Sequence, residues 1–124
     1  AEIDRRYGTP LDFSPMRKSD ENTFSVEYSD EKMKEIADTV NIPLCRAAMI
    51  EENVDNGQHV RDFKLYAHIP SRNPISDRKI CVCRGETIGR KFICRFPAIR
   101  APKFTLEILR SDGEPVIDNI QVFS

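Results

Sequence analysis

Two adjacent carboxylates, Glu51 and Glu52, close the largely apolar run LCRAAMIEE and are the first place to look for acid–base chemistry. General acid–base work needs both groups within reach of one substrate. On a strand, neighbouring side chains point to opposite faces, so this pair does not serve one substrate. The expectation is structural: one glutamate buried against a polar partner, the other facing solvent. His59 and His68 lie at the two ends of the next patterned stretch, HVRDFKLYAHI. Their odd separation puts them on opposite faces of a strand, roughly 30 Å apart, too far for shared proton transfer or shared metal ligation. Both read as rim histidines. The chain contains no Gly-x-Ser-x-Gly elbow, no phosphate-cradling glycine loop and no His-Glu-x-x-His. No catalytic residue is assigned.

Four cysteines, Cys45, Cys81, Cys83 and Cys94, sit inside the apolar stretches PLCRAAMI, KICVCRG and KFICRF. Cysteine is among the most buried residue types even when reduced, so buried free thiols are the expectation. One or two bridges, or a metal site, are the alternatives, and spacing alone does not choose among the three full pairings. The C-V-C pair lacks the C-x₂₋₄-C spacing of structural zinc sites, and no metal ligand is assigned. The arginines are scattered, as solvated or paired residues usually are. With no Trp in the chain, any stacking on a ligand would fall to Tyr7, Tyr28 or Tyr66.

The elements that would carry these residues fit one domain of 124 residues. Lys plus Arg total 19 against 20 Asp plus Glu, a net charge of −1. That balance argues against a nucleic-acid binder and gives no attraction to anionic lipid, so neither nucleic acid nor membrane is expected as a partner. No apolar run approaches membrane-spanning length. No signal peptide precedes Ala1, so the expectation is that the chain is not exported or that a targeting segment has been removed. Residues 1–20 hold two prolines and mixed charge and read as an irregular lead-in or linker remnant; residues 21–124 read as the domain. DEKMKEIADTV fits a short helix or a strand plus turn. TFSVEY, LCRAAMIEE, HVRDFKLYAHI, KICVCR, KFICRF, KFTLEILR and VIDNIQVF have strand character, with KICVCR apolar on both faces and therefore expected to be buried. Short strands with turn signals at intervals of about ten residues indicate an all-β sandwich or barrel.

At residues 49–66, M-I-E-E-N-V-D-N-G-Q-H-V-R-D-F-K-L-Y resembles the pattern L-Q-E-N-I-x-x-G-Q-R-V-x-x-F-x-L in the C-terminal β-sandwich of α-L-fucosidases. G-E-T-I-G-R-K-F-I-C-R-F at 85–96 is similar to that family's G-T-T-I-G-x-K-R-I-x-R-F, and the run from Ala101 to Phe123 is similar to its closing strands. Glu52, Asn53, Gly57, Gln58, Val60 and Phe63 match the first block. Gly85, Thr87, Ile88, Gly89, Ile93, Arg95 and Phe96 match the second. Asp20-Glu-Asn-Thr23-Phe24 resembles, with fewer aspartates and no Trp, the D-G-D-x-x-T-Y-W signature of discoidin-like sandwiches.

The resemblance implies an all-β, jelly-roll-like sandwich of the galactose-binding-domain type, non-catalytic in itself, following a (β/α)₈ barrel that supplies the catalytic groups. It implies an extracytoplasmic setting and no cofactor; a structural calcium near residues 20–24 is not supported by the residues there. Glu52, Gly57, Gln58, Thr87 and Gly89 carry over as structural residues. Gly57 and Gly89 suit positive φ, Thr87 suits a hydrogen bond within its turn, and Glu52 suits bonds to a neighbouring loop or to Arg95. Three functional readings follow. An accessory sandwich would dock on a barrel in cis through an apolar patch. A carbohydrate-binding module would bind a glycan near one end of the sandwich, with Tyr66, His68, Arg72 and Arg95 as ligand candidates. A protein–protein adhesion module would need neither.

Overall fold

Alternation of apolar and polar side chains decides which way each strand faces. Phe63, Leu65 and Ala67 are completely buried, while Lys64, Tyr66 and His68 between them are only half-buried. Phe104, Leu106 and Ile108 likewise face the core, as do Phe24 and Val26, although Thr105 and Ser25 between them are buried too. The computed structural model describes Phe13 and residues 16–20, 22–27, 44–55, 57–69 and 78–124. Its strands are β1 (Arg17–Asp20), β2 (Thr23–Glu27), β3 (Leu44–Glu52), β4 (Val60–Ile69), β5 (Arg78–Gly85), β6 (Phe92–Arg100), β7 (Lys103–Ser111) and β8 (Ile117–Phe123). All pairings are antiparallel, in a five-stranded sheet β1-β2-β7-β4-β5 and a three-stranded sheet β6-β3-β8. The protein is an all-β sandwich.

The inner faces share one core. β2, β4 and β7 supply the residues already named, and the smaller sheet adds Cys45, Ala48, Ile50, Cys94, Phe96, Ile117, Ile120 and Val122. Aromatic edges lock the two layers: the Phe63 ring meets Phe92 edge-on at 5.1 Å between centroids. Ala47, Met49 and Phe123 point the other way, to the outer face of the three-stranded sheet, and are also buried.

Two strands depart from expectation. β5 was expected to be buried on both faces, but it is an edge strand whose residues are exposed or half-buried throughout. Cys81 is exposed and Cys83 half-buried, so only Cys45 and Cys94 are the buried free thiols expected of all four. β1 lies within the stretch read as an irregular lead-in. All four of its residues are exposed, and backbone pairing with β2 holds it. Phe13 packs edge-on against Phe104. The segment left open between helix and strand lies outside the described residues.

The pairings gather four connections at one end of the sandwich. Val60 pairs with Ser111, Phe63 with Gly85, Glu52 with Ile117 and Ile50 with Phe92. The segments 53–59, 86–91 and 112–116 therefore meet there, with the Asn22 turn beside them.

Close packing at this end makes a test of the fold. A Cβ on Gly85 would sit 2.8 Å from a Phe63 ring carbon, and Phe63 has no exposed surface to move into. Gly85→Ala is expected to destabilise by about 1–3 kcal/mol through overpacking, read from urea denaturation midpoints. A loss below about 0.5 kcal/mol would contradict this packing.

Candidate functional site

Glu52 ends β3 on the inner side of the small sheet, and its side chain is 2 % exposed. A carboxylate that deep must be satisfied by donors. The His59 N–H donates to Oε2 at 2.8 Å, the Val60 N–H to the same oxygen at 3.2 Å, and the Gly89 N–H to Oε1 at 3.3 Å. The Glu52 N–H donates in return to the Gly89 carbonyl at 3.0 Å. Gly89 presents both groups to Glu52 at φ +69°, a conformation that excludes most other residues without strain. Beside it, the Asn53 N–H donates to the Val116 carbonyl at 2.8 Å, and the Asp55 N–H donates to Asn53 Oδ1 at 3.0 Å. Residues 52 and 53 thus bind all three chain crossovers at this end.

A second polar cluster lies alongside. Asp112 receives the Arg61 guanidinium on Oδ2 and lies 3.2 Å from His59 Nδ1, while its N–H donates to the His59 carbonyl. Desolvation works to raise the Asp112 carboxyl, but the hydrogen bonds from His59 and Arg61 and their charges outweigh it and hold it below the usual carboxylate range. Farther along, the Asn22 N–H donates to Asp20 Oδ1 at 2.8 Å; that bond, with help from Thr23, lowers the Asp20 carboxyl. Two open surface hollows flank this turn. One, of about 540 Å³, is lined by Asp20, Asn22, Thr23 and the end of β7. The other, of about 400 Å³, is lined by Asn22 and the 111–115 turn.

This arrangement joins the loops to one another. The Glu52 carboxylate is occupied by backbone donors, and Glu51, on the outer side of the strand, accepts from Asn119 Nδ2 at 3.4 Å. The glutamates therefore divide as expected, one buried and partnered, the other at the surface. Among the described residues no cluster of three or more potential metal ligands occurs. Of the two alternatives for Glu52, a neighbouring loop or Arg95, it takes the loop contacts. Arg95 is exposed on the outer face of the small sheet, opposite Ala47. Gly57 has φ +97°, as expected. Gln58 lies over Gly89, its Nε2 3.3 Å from where a Cβ would stand there. Thr87 is exposed at the turn after β5.

The ligand candidates do not converge. Tyr66 and His68 share the outer face of the large sheet. There Lys79 Nζ sits 4.4 Å from the Tyr66 ring centroid, and His68 Nε2 is 2.7 Å from Thr105 Oγ1. A cation therefore already covers one face of the ring that would stack on a sugar. Arg95 belongs to the opposite sheet, Arg72 lies outside the described residues, and neither hollow is lined by any of them. What the sequence did not reveal is the Asp112–Arg61–His59 cluster, because its members come from the start of β4, the residue before it and a turn some fifty residues away.

No family model and no curated protein matches the chain. Solved structures do. A protein described as an α-L-fucosidase from Bacteroides thetaiotaomicron VPI-5482 is 22 % identical with a TM-score of 0.72, over 99 % of this chain and 24 % of its own. One so described from Bacteroides ovatus ATCC 8483 is 17 % identical with a TM-score of 0.64, over 92 % of this chain and 17 % of its own. A Ruminococcus gnavus GH29 fucosidase, solved in complex with fucose, is 18 % identical with a TM-score of 0.62, over 90 % of this chain and 20 % of its own. The chain spans a quarter or less of the length of each. These likenesses establish a shared sandwich fold.

Two outcomes follow from the loop end. Glu52→Gln replaces an acceptor oxygen with an amide donor facing N–H groups and is expected to cost about 2–3 kcal/mol in chemical denaturation. Glu51→Gln should cost under about 0.5 kcal/mol; equal losses would remove Glu52 from its central role. The Asp112 carboxyl is lowered on folding, so its contribution is complete above the unfolded value near pH 4 and is lost as pH falls through the folded value. Urea midpoints measured across that acid range should fall less steeply for Asp112→Asn than for the parent protein.

Proposed function

We propose that this chain is a non-catalytic accessory sandwich of an α-L-fucosidase-like glycoside hydrolase, linked in cis to a catalytic barrel that it supports. The observation that carries the reading is the mismatch of coverage. Nearly the whole chain superposes on a fucosidase structure of which it accounts for 24 %. The remainder of such a polypeptide has room for a barrel. Among the described residues the most buried acid is committed to backbone donors and not to a substrate. Five strands packed on three also support the discoidin-like, galactose-binding type of sandwich.

The docking face in this reading is not a bare apolar patch. Among the described residues the large exposed hydrophobics are Ile80 on β5, Leu109 on β7 and Val116 before β8, three separate elements. The contact is mainly polar, as interfaces between domains of one chain commonly are. The outer face of the large sheet fits this description. Lys103 pairs with Glu27 at 3.4 Å and Lys79 with Glu107 at 3.7 Å there, alongside Tyr66 and His68.

The test compares three polypeptides from the encoding gene: the whole product, the product without this sandwich, and the sandwich alone. The whole product is expected to hydrolyse an aryl α-L-fucoside. The product without the sandwich should melt at a lower temperature, and the sandwich alone should be inert and give a flat amide-shift titration with fucose. A gene product without a barrel would overturn the proposal. Saturable fucose-induced shifts in the isolated chain would establish a carbohydrate-binding module instead.

A further inference from the structure

The sides of a sandwich are where its two sheets come closest without being joined by backbone hydrogen bonds. At one such side, β5 is the edge of the five-stranded sheet and β6 the edge of the three-stranded one. Each carries a thiol directed at the common core. Cys83 pairs across β4 with the fully buried Leu65, and Cys94 pairs across β3 with the fully buried Ala48. Cys94 Sγ donates to the carbonyl of Val82 at 3.8 Å, which brings it against the peptide bond that joins Val82 to Cys83. The register shift between Leu65 and Tyr66 leaves Val82 as the extra residue of a bulge on β5, next to Cys83. An edge strand with a bulge can shift locally without disturbing a second neighbour.

We propose that Cys83 and Cys94 are a redox-active pair that closes to a disulfide between the two sheets on reaction with a small-molecule disulfide such as oxidised glutathione. Exposure sets the order of events. Cys94 is 5 % exposed and Cys83 half-buried, so the oxidant reaches Cys83 first. The hydrogen bond from Cys94 also lowers the Cys83 thiol and, with burial, raises that of Cys94, which favours thiolate character at the accessible sulfur. The Cys83 thiolate attacks one sulfur of the oxidant, the oxidant's S–S bond breaks, and one glutathione thiolate leaves. Cys94 then gives up its proton and attacks Cys83 Sγ, expelling the second glutathione. Two protein thiols are oxidised by two electrons and one glutathione disulfide is reduced to two thiols. Cys81 does not take part. It is exposed, pairs with Tyr66 and donates to the Cys83 carbonyl at 3.3 Å.

The test incubates the protein with oxidised glutathione, quenches free thiols and reads the intact mass and a tryptic map. Trypsin places Cys81 and Cys83 in the peptide from Ile80 to Arg84 and Cys94 in the peptide from Phe92 to Arg95. The expected result is loss of two hydrogens, the two peptides joined, and a melting midpoint raised by about 5 °C or more. The rise should be reversed by dithiothreitol. Cys81→Ser should behave as the parent does, and Cys83→Ser should neither join the peptides nor gain stability. A stable glutathione adduct without a bridge, a bridge through Cys81, or no reaction would each overturn the proposal. The parent and Cys81→Ser maps decide the matter even if Cys83→Ser does not fold.

Discussion

Everything at the described end of this sandwich depends on one buried carboxylate. A β-sandwich is two sheets whose only covalent joins are the crossovers between them, and each crossover frees backbone groups that leave their ladders. Glu52 stands where β3 leaves the small sheet for the large one, and it takes the N–H groups with which β4 begins. Its other oxygen takes Gly89, in the connection by which the chain returns from β5 to β6. Asn53 adds the third crossover through Val116. A neutral side chain here would leave several donors dry, each costing about 1–3 kcal/mol. A carboxylate with no partners would cost more still. The carboxylate and the donors require each other, which is why a glutamate can sit at 2 % exposure with no ion pair to it among the described residues.

That arrangement bears on function through what it removes. An acid that works on a substrate must have an oxygen free for it. The most buried acid among the described residues has both oxygens in use, and its neighbour Glu51 lies on the other side of the strand. At the same end Asp112 pairs with Arg61 and His59, and Asp20 caps the Asn22 turn. The result is an end whose loops are joined to one another by hydrogen bonds.

Legibility from sequence followed the physics of each segment. Strands with one buried face, such as β4 and β7, announce themselves because alternation is imposed by the core. The glycines of the loop end were legible because positive φ leaves few choices of residue. β5 misled for a definite reason. Ile80, Cys81, Val82 and Cys83 are apolar enough for a central strand, but whether a strand has one neighbour or two is set by topology, which composition does not carry. β1 failed in the opposite sense, since four polar, exposed residues held by backbone pairing leave no hydrophobic trace. Tyr66, His68 and Arg95 were each assignable to a strand face, yet their convergence required knowing which sheets those faces belong to.

The two ways the sheets are joined differ in kind. At the loop end the joint is a set of backbone hydrogen bonds to the Glu52 carboxylate. Along the side between β5 and β6 there is no ladder, and only side-chain packing and a pair of thiols span the gap. Edge strands are ordinarily where a sheet yields first, since each residue there has half the backbone partners of a central one. The same exposure that makes β5 a poor core strand lets an oxidant reach Cys83. Placing the pair on any interior strand would have buried both sulfurs, as Cys45 is buried, with its thiol pushed up to about 12 by the loss of solvent. The seam between β5 and β6 is where an edge leaves one sulfur half in water and its neighbour in the core.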